Sequence, residues 1–289
     1  MTIYNLGSIN ADYFYRVPSI PKPGETLAAH SLSKGMGGKG ANQSVALAQA
    51  GADVRHIGCI GQDGVWMRDT LSKFGVDTTG VKVVGEVSGH AIITVSDDGE
   101  NAITLAAGAN QKVSIPHISN CLGEISKSDW LVLQNETNGV AEAAKLAKVA
   151  GAQVAYSAAP FSIEAVSEVL DLIDLIAVNE GEAAALDEGL SSAQSAKLEK
   201  IAVLKTKGSN GADFKMNGVT KSVAGLKVEA VDTTAAGDTF FGFFLASLAE
   251  GACEEKSMEL ANAAAALKVT RAGTADAIPT LAEVKALAT

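Results

Sequence analysis

Trp130-Leu131-Val132-Leu133-Gln134, Val154-Ala155-Tyr156, Leu175-Ile176-Ala177-Val178 and Ala202-Val203-Leu204-Lys205-Thr206 are short apolar runs repeated across the middle of the chain. Runs of this length read as buried strands. Helical patterns at 139–150 and 162–170 fall between them. Parallel neighbours need a crossover, so strands alternating with helices predict an α/β fold with a mostly parallel sheet between helices. Working outward, Ile3 to Leu6 reads as a further buried strand ending at Gly7, and Val54 to Ile60 as another. Ala41 to Ala50 reads as a helix, and two Ala-rich helices are expected near 239–250 and 255–272. Some segments do not fit the alternation. Tyr13, Tyr15 and Val17 alternate with Phe14 and Arg16, and Ala91–Val95 and Ala102–Leu105 flank the turn Asp97-Asp98-Gly99-Glu100 as a hairpin. Segments near 10–35 and 85–108 are therefore expected to form a small separate sheet, within one α/β domain spanning 1–289.

Composition narrows the function. Of 289 residues, 47% are hydrophobic and 19% charged, which fits a large globular core. The net charge of -10 disfavours nucleic acid or an anionic membrane as partner. Cys59, Cys121 and Cys253 are odd in number and contain no C-x-x-C pair, so neither a disulfide framework nor a zinc site is indicated. No apolar run approaches a membrane span, and the first residues lack a signal-peptide pattern. The expectation is a soluble cytoplasmic protein.

Several stretches carry chemistry. Asp232-Thr233-Thr234-Ala235-Ala236-Gly237-Asp238-Thr239-Phe240-Phe241 runs from a small-residue turn into an apolar helix. Such a turn can aim free backbone N–H groups at an anion, with Asp238 beside it in the first helical turn. A carboxylate next to an anion cradle suits phosphoryl transfer to a hydroxyl. An Asp helix cap explains the same residues without function. Gly35-Met36-Gly37-Gly38-Lys39-Gly40-Ala41-Asn42 contains a G-x-G-x-x-G, but the preceding 29–34 is too polar for the buried strand that a dinucleotide site needs. No Walker A spacing is present, so the loop reads as a glycine-rich helix entry displaying Lys39 and Asn42. Asn10-Ala11-Asp12 is either an Asx-type turn or a clamp for neighbouring hydroxyls. Asn179-Glu180-Gly181-Glu182 ends a parallel strand, where open α/β sheets bind ligands and where carboxylates can hold Mg2+ through water; acidic residues at a helix N-terminus are the plain alternative. Lys205-Thr206-Lys207-Gly208-Ser209-Asn210-Gly211 has the parts of a phosphate-binding turn or of an ordinary hairpin turn. The four histidines show no ligand spacing.

Taken in order, these pieces resemble the ribokinase branch of the PfkB carbohydrate kinase family over nearly the whole chain. The resemblance rests on Gly7-Ser8-Ile9-Asn10-Ala11-Asp12, Gly37 to Gln43, Gly99-Glu100-Asn101, Gly108-Ala109-Asn110 and Asp232 to Phe240. It implies a β-lid over a sugar site, often also a dimer interface. It further implies sugar contacts from Asn10, Asp12, Gly38, Lys39, Asn42 and Glu136. Asp238 would be the general base, with Ala235, Ala236 and Gly237 as the anion hole. Asn179 and Glu182 would serve the Mg–ATP phosphates, and Thr206, Gly208, Ser209, Gly211 and Asn262 the nucleotide. Asp232, Thr234, Lys268, Arg271 and Gly273 fall where the family binds a monovalent cation such as K+, largely through backbone carbonyls. Three positions depart from the pattern: Ala277 replaces a hydroxyl at the cation site, Asn262 a His near the adenine, and Ser157 an Asn.

The implied activity is ATP-dependent phosphorylation of a primary hydroxyl, D-ribose to D-ribose 5-phosphate, by a homodimer joined through its lids. Competing readings keep the chemistry on deoxyribose, another pentose or ketose, or a nucleoside, or keep only sugar binding. A nicotinamide oxidoreductase would rest on the G-x-G-x-x-G alone.

Overall fold

The computed structural model describes residues 1–287; Ala288 and Thr289, the end of the expected domain, lie outside the described residues. In chain order the strands are β1 (Ile3–Leu6), β2 (Asn10–Val17), β3 (Ser31–Gly37), β4 (Val54–Gly61), β5 (Asp77–Val84), β6 (Gly89–Ser96), β7 (Asn101–Ala106), β8 (Trp130–Leu133), β9 (Gln153–Ser157), β10 (Leu175–Asn179), β11 (Ala202–Thr206), β12 (Ala212–Met216) and β13 (Val219–Val223). The α-helices are α1 (Lys39–Gln49), α2 (Val65–Lys73), α3 (Ile115–Cys121), α4 (Val140–Val149), α5 (Ile163–Val169), α6 (Glu180–Gly189), α7 (Ser192–Leu198), α8 (Ala236–Ala249), α9 (Glu254–Val269) and α10 (Leu281–Leu287).

Nine strands form one sheet in the order β13-β12-β11-β10-β9-β8-β1-β4-β5. It is parallel from β5 through β11, with β12 and β13 added antiparallel. Successive strand side chains point to opposite faces, so each strand feeds two cores. Ile3, Trp130 and Val132 join α1, α2, α8 and α9 on one face, while Tyr4, Leu6, Leu131 and Leu133 join α3, α4 and α5 on the other. The first layer is held close by Gly242 of α8: a Cβ there would sit 2.4 Å from Ala46 Cβ of α1.

The remaining strands form the expected second sheet, β3-β2-β6-β7. The sheet also settles how two of the quoted stretches fold. Asn10-Ala11-Asp12 is the start of strand β2 rather than a turn. Residues 31–34 are the exposed first half of β3, as their polarity implies, so the glycine loop follows a lid strand and not a buried one. Tyr13 and Tyr15 lie on the face of the lid opposite Ile93 and Val95. The register pairs Tyr13 with Ile92 and Phe14 with Ile93, so Ile93 and Val95 lie with Asp12 and Phe14. Elements α2, β5, α3 and α7 were not foreseen, because their apolar residues are too few to set a clear period. No helix among the described residues is long and apolar enough to cross a membrane.

Candidate active site

The parallel strands end at one rim of the large sheet, and the lid strand β2 rises from the same rim. Between them lies a cleft. Its polar part, a cavity of about 180 Å³, is lined by Lys39, Asn179, Glu182, Thr206 and the loop from Thr233 to Asp238. It adjoins a larger cavity of about 590 Å³ that shares Thr206, Thr233, Ala236 and Gly237 and extends over Leu226, Val228, Phe240 and Asn262. One end is thus polar with a carboxylate, and the other is wide and mostly apolar.

Asp238 sits in the first turn of α8. The N-cap, Ala235, is held at φ 59°, a left-handed conformation that an alanine adopts at a cost of about 1–2 kcal/mol. That turn has no side-chain cap. Ala236 N–H bonds Thr233 O at 3.2 Å, whereas the N–H groups of Ala235, Gly237 and Asp238 have no acceptor among the described residues. A Cβ at Gly237 would meet open space. Three free donors facing a cleft at a helix N-terminus make an anion site.

The carboxylate of Asp238 is itself held. Oδ2 accepts from Asn42 Nδ2 at 3.1 Å, and Oδ1 from Gln43 Nε2 at 2.9 Å. Behind it runs a buried chain absent from the sequence reading. Gln134 Nε2 donates to Gln43 Oε1 (2.8 Å) and to Asn5 Oδ1 (2.9 Å). Asn5 Nδ2 donates to Ser44 Oγ at 2.8 Å, which lies 2.8 Å from His56 Nδ1. His56 Nε2 faces Gly7 O at 3.1 Å, so this nitrogen carries the hydrogen and Nδ1 accepts from Ser44. Burial pushes His56 down to about 4, keeping it neutral. Every amide in the chain is oriented by the acceptor-only carboxylate at its end. Burial raises the Asp238 pKa, while Lys39, Gln43 and Asn42 oppose the rise. A raised carboxylate is the better base.

On the lid side, Asp12 is 7% exposed. Burial, and then the neighbouring Glu136, push its carboxyl up to about 7. Glu136 accepts from Lys39 N at 3.0 Å and from the Ser8 hydroxyl. Asn10 Oδ1 accepts from Asn110 Nδ2 at 2.7 Å, and Asn110 Oδ1 from Ile9 N at 3.0 Å. Asn42 Oδ1 is buried without a hydrogen-bond partner. The tight glycine loop serves this clamp: a Cβ on Gly37 would fall 1.9 Å from Asp12 Oδ2.

The other expected residues fall out as follows. Asn179 and Glu182 line the polar cavity, but they also cap α6 reciprocally: Asn179 Oδ1 accepts from Glu182 N (2.9 Å) and Glu182 Oε2 from Asn179 N (2.8 Å). The plain helix-cap reading is therefore realised, leaving one Glu182 oxygen free. Thr206, Gly208, Ser209 and Gly211 line the larger cavity, where Asn262 Nδ2 is committed to Ala224 O at 3.1 Å. Asp232, Lys268 and Gly273 come together, whereas the Arg271 side chain pairs with Glu283 at 2.7 Å. No cluster of three or more His, Cys, Asp or Glu among the described residues could hold a metal on its own. Gln43, Gln134, Asn5 and Asn110 were missed as site residues because no local signal distinguishes a buried amide in a site from any other.

Comparison with known proteins fits this geometry. The pfkB family carbohydrate kinase pattern matches residues 2–281. The ribokinase of Haemophilus influenzae is 40% identical over 297 residues, covering 98% of this chain and 96% of that one. The crystal structure of ribokinase from Thermotoga maritima superposes with a TM-score of 0.88 at 33% identity, covering 99% of both chains. That of Arabidopsis thaliana ribokinase complexed with ribose and ATP gives 0.85 at 29% identity, covering 99% of this chain and 97% of that one. The chain belongs to the pfkB family of carbohydrate kinases and is a phosphotransferase acting on an alcohol group.

Proposed function

We propose that the protein is an ATP-dependent ribokinase, a single α/β kinase domain that converts D-ribose to D-ribose 5-phosphate. The observation that carries the reading is Asp238 at the junction of three features: the hydroxyl clamp of Asp12, Asn42 and Asn10, the free N–H groups of the α8 turn, and the long nucleotide-sized cavity. Sugar hydroxyls donate to Asp12 and to the orphaned Asn42 Oδ1, which leaves the primary hydroxyl beside Asp238. Asp238 accepts the hydroxyl proton as the oxygen attacks the terminal phosphorus of ATP, whose bond to the bridging oxygen breaks and releases ADP. The N–H groups of Ala235, Gly237 and Asp238 receive the charge that develops on the phosphoryl oxygens. Lys39, which lines the polar cavity, adds a positive charge there. Mg2+ fits the chain only as an ion carried by the phosphates and water with Glu182 beside it, and its chemistry would be charge neutralisation. The apolar end of the cleft, lined by Phe240 and Leu226, would take the adenine.

The lid sheet covers the clamp, since Asp12 belongs to it, and its closure over the sugar would keep water from the phosphoryl group. Its apolar residues extend beyond the clamp: Ile103 and Leu105 are 56% and 60% exposed. Two lids pairing about a two-fold axis would cover them, which supports a homodimer. Use of ATP and three free cysteines fit a cytoplasmic location.

The test is ATP consumption across ribose, deoxyribose, other pentoses, ketoses and nucleosides, with the phosphorylated position read by phosphorus NMR. Ribose should give the highest kcat/KM and a 5-phosphate product. Turnover with another acceptor but none with ribose would overturn the substrate, and no turnover with any sugar would overturn the kinase reading.

A further inference from the structure

Lys268 lies in the last turn of α9 and is 0% exposed. A lysine is almost never buried so fully without a reason. Its Nζ donates to the backbone carbonyl of Asp232 at 3.1 Å, at the start of the loop that presents the anion site. This is the spot where the family resemblance implies a monovalent cation. The Thr234, Arg271 and Gly273 carbonyls there accept no hydrogen bond among the described residues, but the oxygens of Asp232 and Lys268 are already engaged. The Asp232 carbonyl is taken by the ammonium. Asp232 Oδ1 accepts from Thr234 N at 2.9 Å and Oδ2 from Gly273 N at 3.0 Å. The Lys268 carbonyl accepts from Arg271 N at 3.0 Å. Ala277 is buried and supplies no side-chain oxygen.

We infer that the Lys268 ammonium takes the place of the monovalent cation. An alkylammonium carries the same single charge as K+, is of similar size at its head, and seeks the same carbonyl and carboxylate oxygens. Here it is tethered to α9, so no ion has to be captured. The carboxylates that face it are Asp232 and Asp276, which balance the buried charge. Only Thr233 and Thr234 separate Asp232 from Ala235, the first free donor of the anion site. A fixed positive charge under this loop holds the donors in place and adds to the field that stabilises the transferring phosphoryl group. The inference rests on the kinase reading above and deepens it.

The experiment compares the protein in buffers whose only cation is K+, Na+ or tetramethylammonium, reading both sugar-dependent ATP turnover and Tm. The wild type should have the same turnover and the same Tm in all three. Lys268→Met, which keeps length and apolar bulk, should lose about tenfold or more in turnover. Lys268→Ala, which leaves room for an ion, should regain activity with K+ or ammonium and show a K+-dependent rise in Tm. Activation of the wild type by K+ would overturn the inference, as would a Lys268→Met protein with wild-type turnover in tetramethylammonium. If neither variant folds, the wild-type cation series decides alone. Turnover that needs K+ sinks only the role of Lys268, whereas absence of turnover with every sugar in every cation sinks the kinase reading.

Discussion

Lowering the pH from 8 to 6 should weaken sugar binding about tenfold, and Asp12 should be the cause. Its carboxyl is buried at the base of the lid, faces Glu136, and is pushed up to about 7. Sugar hydroxyls donate, so they bind the ionised carboxylate. With a midpoint near 7, roughly nine-tenths of the free protein is competent at pH 8 and about one-tenth at pH 6, and the apparent affinity follows that fraction. Calorimetric titration with sugar alone, from pH 5.5 to about 8.5, reads the change. Below pH 7 binding should release a proton, visible as heat that depends on the buffer. Asp12→Asn should bind more weakly, by about 1–3 kcal/mol for a lost acceptor, and without the pH slope. Stability moves the other way. The folded carboxyl titrates above its unfolded value of about 3.9, so the folded state holds the extra proton between these values. Its contribution to folding is full below about pH 4 and is lost as pH rises through about 7. Asp12→Asn should therefore raise the Tm of the sugar-free protein at pH 8 and leave it little changed at about pH 4. A flat sugar affinity in the wild type, or the same slope in Asp12→Asn, would refute the reasoning.

Asp238→Asn should cut turnover by about 10^2 to 10^4 while sugar binding persists. Its amide can keep its oxygen on Gln43 and keep the shape of the site, so calorimetry should find a folded, sugar-binding protein; near wild-type turnover would remove Asp238 from the chemistry. Gly37→Ala should raise the sugar KM by about tenfold or more and leave the ATP KM nearly unchanged, because the added Cβ displaces the Asp12 carboxylate by direct overlap. Equal losses for both substrates would mean that the change spreads beyond the clamp. Light scattering should give a dimer at micromolar concentration and a monomer for Leu105→Glu; a monomeric wild type would end the lid-pairing proposal.

Much of the architecture was legible because it is written in local windows. The apolar runs at 130–133, 175–178 and 202–206 became strands of the large sheet, and the hairpin at 91–105 became β6 and β7. Asp238 was readable in the first turn of its helix, because a turn of small residues before an apolar run needs only local propensity. What the sequence could not decide depends on groups far apart in the chain. The faces of the lid follow from the β2–β6 register, which pairs Phe14, and not Tyr13, with Ile93. The chain that orients the Asp238 carboxylate joins residues 5, 43, 134 and 238, and any of these amides alone has the composition of an ordinary surface residue. Lys268 was expected at a cation site built largely from backbone carbonyls; packing of α9 against the 232–237 loop brings its ammonium to the Asp232 carbonyl. Propensity acts over a few residues, whereas a buried hydrogen bond or charge is fixed only when the sheet and helices close around it and remove water as a partner.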